Sequence, residues 1–348
     1  MMNQYLFPFA ILFALAANVI AQDLAPTDES KQESSQTHVL VVVGAAGTPE
    51  FGEQFDSWAD DWKKVSKNAG AKLTVIGQTA ENQSPENQSI GKSNDHEQLK
   101  KAIESIPADG ARPLWVVFIG HGTFSGKVAK FNMRGPDVSA QELGEWFKPI
   151  QRPLVVVNCA SSSSPFINRL SGKNRVIVTA TKSGSQYNYA RFGEYFAAAI
   201  ASPDSDLDHD DEVSVHEAFL RASNDVKEFY ASESRICTEH ALIDDNGDAR
   251  GTPANMFRGV RVIAKAKKNA KVDGKFGSKI TLSPSGKQLP LTDKELKRRD
   301  ELEQALDKLR SKQSDLTESD YDQSLEPILI ELAKIYRAAE QRIATASP

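Results

Sequence analysis

The chain has 348 residues and a formal net charge of −5, from 42 Lys and Arg against 47 Asp and Glu. That length accommodates one large domain or two ordinary ones, with enough apolar content for a core. The charge balance argues against nucleic acid as a partner. The one local basic cluster, Lys265, Lys267, Lys268, Lys271 and Lys275, suits a solvated linker.

An apolar run from Leu6 to Ala17 is followed by "ANVIAQ", with Val19 and Ala21 at the small-residue positions before a cut. Residues 1–21 are expected to be a signal peptide and residues 22–37, polar and rich in Gln, Ser, Asp and Glu, a flexible leader. No other stretch approaches the roughly 18 apolar residues of a spanning helix. The expectation is an exported protein, periplasmic or extracellular, with no stable membrane span after signal removal.

From His38, short β-branched runs alternate with amphipathic segments. The strands are "HVLVVVGAAG", "AKLTVIG", "PLWVVFIGHG", "RPLVVVNCA" and "NRVIVTAT". Helices are predicted near Glu50 to Asn68, Asp95 to Ile106 and Ala140 to Phe147, and again in "RFGEYFAAAI" and "SVHEAFLRASNDVKEFYAS". Continuous apolar strands separated by helices predict an α/β fold, a parallel sheet flanked by helices on both faces, over residues 38–257. Residues 258–290 are mixed, with strand-like "GVRVIAKA" and "SKITL", and form a linker or small β region. Residues 291–345 carry Leu296, Leu302, Leu306 and Leu309, then Leu329, Leu332, Ile335 and Tyr336, near helical spacing. They predict a C-terminal helical hairpin broken near Ser319. The partner of those helices is not written in the sequence.

Ligands of such sheets bind outside the carboxyl ends of the strands. Gly44 and Gly47 lack the spacing of a dinucleotide loop and act as turn glycines. The third strand ends at Gly120-His121-Gly122 and the fourth at Asn158-Cys159, so neighbouring strands bring an imidazole and a thiol to one edge. A thiol attacks as its thiolate, and a nearby imidazole can take its proton. Attack on a peptide carbonyl also develops an oxyanion that needs N–H donors, here expected from Gly122 and Cys159. A serine acyl hydrolase using Ser161 to Ser164 is a weaker reading, since no G-x-S-x-G elbow supports it.

"WVVFIGHG" followed by "LVVVNCASSSS" resembles the histidine and cysteine blocks of the caspase/legumain-like cysteine peptidases, and "EHALIDDNGDARG" is similar to a block of the legumain-type branch. The resemblance covers roughly His38 to Gly251 and implies a caspase-like sheet. It implies that His121 is the catalytic histidine, Cys159 the nucleophile and Gly122 the oxyanion glycine. Asn158 departs from it, because the familiar block has Ala before the cysteine. By analogy, "TATKSGSQYNYARFG" occupies the substrate pocket, where Thr181, Ser183, Ser185 and Gln186 would bind a protein or peptide substrate. The expected function is that of an exported cysteine endopeptidase acting through an acyl-enzyme, with no cofactor required for catalysis. The alternative is a catalytically inactive caspase-like binding or scaffold protein, modulated by calcium.

The calcium expectation comes from "DLDHDDEVSVHE". Against the EF-hand loop, Asp206, Asp208 and Asp210 take the first, third and fifth positions and Glu217 the last. Asp211 stands at the sixth position, where the sharp turn wants Gly; the competing reading has Ser214 capping the next helix. "DDNGD", Asp244 to Asp248, is expected to be a turn. Asn82 and Asn87 open N-x-S sequons in a polar loop. Cys237 is expected to be a minor core thiol, unpaired with Cys159.

Overall fold

The computed structural model describes residues 36–78, 94–263, 272–282, 291–311 and 316–346. The expected signal peptide, nearly all of the leader, both sequons and Lys265 to Lys271 lie outside these residues. No helix among the described residues is long and apolar enough to cross a membrane.

The main sheet is laid down by β1 (His38–Val43), β2 (Lys72–Ile76), β3 (Leu114–Ile119), then, beyond a small separate sheet of β4 (Gly122–Ser125), β5 (Val128–Phe131) and β6 (Val138–Ser139), by β7 (Leu154–Asn158), β8 (Arg175–Thr179), β9 (Leu242–Asp244) and β10 (Thr252–Pro253). Its order is β10-β9-β8-β7-β3-β1-β2. Every pair from β2 to β8 is parallel, whereas β9 runs antiparallel to β8 and pairs with β10 in a hairpin. The expected parallel α/β sheet flanked by helices is therefore present, with an antiparallel edge added. That edge turns on the "DDNGD" segment, where the Asp244 carboxylate accepts the Gly247 N–H at 3.2 Å.

Two apolar layers cover the sheet. On one face lie α1 (Pro49–Asn68), α5 (Phe192–Ala201) and α6 (Val215–Ser232); on the other lie α2 (Asp95–Ser105), α3 (Ala140–Trp146) and α4 (Ile167–Leu170). Helix α1 begins where Thr48 accepts the Phe51 N–H with Pro49 as its first residue. It buries Phe55, Trp58, Ala59, Trp62 and Val65, the i, i+3, i+4, i+7 stripe of a core-facing helix. The strands are buried on both faces, so their side chains alternate between the layers: Val155, Val157 and Cys159 enter the first, Val156 and Ala160 the second.

The region after β10 is less regular than expected. Short β11 (Phe257–Arg258) and β12 (Arg261–Val262) form a hairpin, and "SKITL" contributes a 3₁₀ turn at Gly277–Lys279 and one bridge from Thr281 to Ser214. The C-terminal hairpin comprises α7 (Asp293–Ser311) and α8 (Glu318–Ala346). The second helix starts at Glu318, so the break falls near Ser319 as expected; Thr317 is the cap and accepts the Asp320 N–H at 3.2 Å. Arg298 makes a two-pronged pair with Glu331, at 2.7 and 2.8 Å, across the hairpin.

Candidate functional site

β1 and β3 pair to their last residues, Val43 with Ile119, and β7 ends opposite Phe118 at Asn158. His121 and Cys159 thus emerge at the same end of the sheet from neighbouring strands, as the sequence implies. Both face the α1/α5/α6 layer. The His121 ring is half-buried against Phe51, Phe55 and Tyr189, with centroids at 4.9, 5.2 and 6.2 Å. Its Nε2 lies 3.1 Å from the Ala46 carbonyl oxygen; a carbonyl only accepts, which assigns the proton to Nε2. Burial pulls the His121 pKa below its ordinary value, partly opposed by that hydrogen bond. The imidazole is neutral at pH 7.

Cys159 lies in the same layer. Only 1% of it is exposed, and it lies under α5, where a β-carbon added to Gly193 would stand 2.8 Å from Cys159 Cβ and 3.0 Å from the Trp58 ring. Burial, and next the charge of Glu239, push its thiol well above the ordinary range. A thiolate is therefore strongly disfavoured, and the thiol makes no hydrogen bond to His121. Both cysteines are free.

The two expected oxyanion donors are occupied, which corrects their assignment. The Cys159 N–H continues the sheet ladder to the Phe118 carbonyl at 2.9 Å. The Gly122 N–H donates to Ser161 Oγ at 3.3 Å, and the same hydroxyl donates to the Gly122 carbonyl at 3.1 Å. A β-carbon on Gly122 would fall 2.4 Å from the Ser161 carbonyl oxygen and 3.2 Å from Ala160 Cβ. Gly122 is a site of close chain approach, with its N–H turned to the protein. Of the serines in the weaker acyl-hydrolase reading, Ser161, Ser162 and Ser163 are buried and the Ser161 and Ser163 hydroxyls are engaged, while Ser164 is half-buried.

The expected substrate loop is stitched to that serine run. Thr181 is fully buried; its hydroxyl lies 3.2 Å from Ser163 Oγ and accepts the Ser164 N–H. This removes it from any pocket surface. Ser183 and Ser185 pair with each other at 2.8 Å. Gln186 accepts the Lys182 N–H through its side chain and the Ser162 N–H through its carbonyl, and its amide meets His240 Nδ1 at 2.7 Å. Gly184 lies against Phe124 of β4, so a β-carbon there would strike the ring.

In the acidic loop, Asp206, Asp208 and Asp210 bring carboxylate oxygens within 4.8 Å of one another. Asp211 takes φ of +68°, the left-handed conformation that the sixth loop position requires. Burial and surrounding carboxylates raise Asp208, and raise Asp210 to about 6. Glu217, the expected fourth ligand, is not among them. Its carboxylate is buried and accepts the N–H groups of Leu207, Asp208 and Ser214 and the Ser214 hydroxyl. With Ser214 accepting the Glu217 N–H, this is the capping box of α6. A carboxylate with four donors has little left for a cation.

Glu239 is the residue that the pattern of strands and helices did not single out. It is 3% exposed, yet its carboxylate accepts the N–H groups of Arg191 and Phe192 at the start of α5 and the Tyr230 hydroxyl. An acidic residue just ahead of an apolar strand is the only local signal, and it does not tell which helix it caps.

No protein-family model matches the chain, and no curated protein matches it. In fold it is similar to solved structures of the Drosophila initiator caspase Dronc and of caspase-1 from Spodoptera frugiperda. The first is 13% identical with a TM-score of 0.41, over 63% of this chain and 83% of that one. The second is 11% identical with a TM-score of 0.40, over 74% and 93%. At such identities no residue of either protein specifies the role of a residue here.

Proposed function

We propose that this chain is a non-catalytic caspase-like binding or scaffold protein that engages a protein or peptide partner. One observation carries the reading: the Cys159 side chain is buried in the core against Gly193 of α5 while its N–H belongs to the sheet. The hydrogen-bonded loops from Ser161 to Ser164 and Thr181 to Gln186 then form a closed, preorganised surface at the sheet end instead of an open acyl-transfer site. Iodoacetamide labelling with peptide mapping tests this. Cys237 labels in the native protein and Cys159 only on unfolding, and a diverse peptide library is not cleaved. Cleavage that disappears in Cys159→Ala overturns it.

The second reading, a cysteine endopeptidase with His121 as acid/base, is favoured by the emergence of both residues at one sheet end on one face. It requires α5 to withdraw from Cys159 and Ser161 to release Gly122, so it predicts activity only after a conformational change. In either reading the aspartates 206, 208 and 210 are the place for a hard divalent cation such as calcium, which prefers oxygen ligands. Export rests on the pattern of residues 1–21.

A further inference from the structure

A cavity of about 870 Å³ opens beside, and separate from, the His121 and Cys159 region. That volume is within the range of small-molecule sites, roughly 300–1,000 Å³. Its apolar wall includes Ala180 after β8, Phe192 of α5, Leu220 and Val226 of α6, and Phe257 after β10. Ala180, Phe192 and Val226 are buried core residues, so this part of the wall belongs to the packed core.

The polar groups of the cavity are unevenly charged. Glu239 is its one carboxylate among the described residues, and both of its oxygens are already committed to the N-terminus of α5 and to Tyr230. Arg221 is answered by Asp225 at 2.9 Å. Lys182 and Lys227 also line the cavity, and neither takes part in an ion pair among the described residues. Lys182 stands near Cys237 and His240, and its charge acts on both side chains; burial, and next the Lys182 charge, lower the His240 pKa. His240 is therefore neutral at pH 7 and its orientation is fixed by Gln186. An apolar wall with two exposed lysines at its mouth, neither of them ion-paired among the described residues, and no free carboxylate complements an apolar body with an anionic head.

We infer that this cavity is a binding site for an amphipathic carboxylate, its chain lying along Phe192, Val226 and Phe257 and its head on Lys182 and Lys227. The site requires nothing of Cys159, and its test does not read hydrolysis, so it stands or falls separately from the proposed function. Cys237 lines the cavity and is half-buried, which makes its thiol a reporter.

The experiment follows iodoacetamide alkylation of Cys237 in the full chain by peptide mass mapping, with octanoate and octylammonium added in turn below their micellar concentrations. Octanoate slows alkylation saturably and octylammonium does not. The double variant Lys182→Gln/Lys227→Gln raises the half-protecting octanoate concentration about tenfold, the loss of about 1.4 kcal/mol. Ala254→Trp, which fills the cavity from its rim, abolishes protection while thermal unfolding stays cooperative. Absence of saturable protection by octanoate, or equal protection by octylammonium, overturns the inference.

Discussion

Replacing Cys159 separates a core thiol from a catalytic one through stability alone. The side chain is 1% exposed and packed against Gly193 of α5 in the layer that also holds Trp58. Cys159→Ala removes a group comparable to a buried methylene, about 0.8 kcal/mol of transfer. A void of roughly 25 Å³ adds about 0.6 kcal/mol at about 24 cal/mol per Å³. The expected loss is therefore about 1–2 kcal/mol. Cys159→Ser keeps most of the volume but places a hydroxyl where the thiol has no hydrogen-bond partner, so desolvation raises the loss to about 2–4 kcal/mol. Urea unfolding followed by tryptophan fluorescence measures both, and the midpoint shifts at constant slope. An exposed nucleophile would give the opposite pattern, with both substitutions within about 0.5 kcal/mol of the parent chain. That result refutes the core placement and, with it, the non-catalytic reading.

Gly122→Ala forces a β-carbon onto the Ser161 carbonyl, a backbone atom that cannot step aside; urea unfolding is expected to show a loss of about 1–3 kcal/mol. Asp273 is buried, and its carboxylate accepts the N–H groups of Asp245 and Asn246 and the Thr252 hydroxyl. Burial raises its pKa to about 7, with the charge of Asp245 adding to the rise. The folded state therefore holds a proton that the unfolded chain releases near pH 4. Stability from this group is complete below about pH 4 and is lost as pH rises through about 7; Asp273→Asn flattens that part of the stability–pH curve, and denaturation across the range checks it. Calcium titrated calorimetrically is expected to bind the loop at Asp206, and Asp208→Asn abolishes the heat. Glu217→Gln instead lowers the unfolding temperature equally with and without calcium, because Glu217 is a helix cap. Intact mass of the exported protein is expected to begin after Ala21.

The parts of this fold that were legible in the sequence are those in which one physical rule acts alone. β1, β3, β7 and β8 read as buried parallel strands because nothing but burial on both faces explains "HVLVVV" or "LWVVFI". α1 read as a helix because Thr48-Pro49 precedes a stripe of Phe55, Trp58 and Trp62. Where two rules share one residue, sequence does not say which prevails. Glu217 satisfies both the last position of a calcium loop and the third helical position of a capping box, and the structure spends its carboxylate on the cap. Gly122 satisfies both an oxyanion donor and a close chain crossing, and the nearness of Ser161 decides for the crossing. Cys159 is the sharpest case. The strand period sends it to the α1/α5/α6 face, as it should for His121, but whether a thiol on that face meets the imidazole or the underside of a helix depends on Gly193, far along the chain, whose missing side chain lets α5 descend onto it. A second, independent clue was the neighbour itself. Asn158 fills the buried end of β7 and its side chain accepts the Ala160 N–H at 3.1 Å, which fixes the path of the chain as it leaves the strand toward Ser161, whose hydroxyl bonds Gly122.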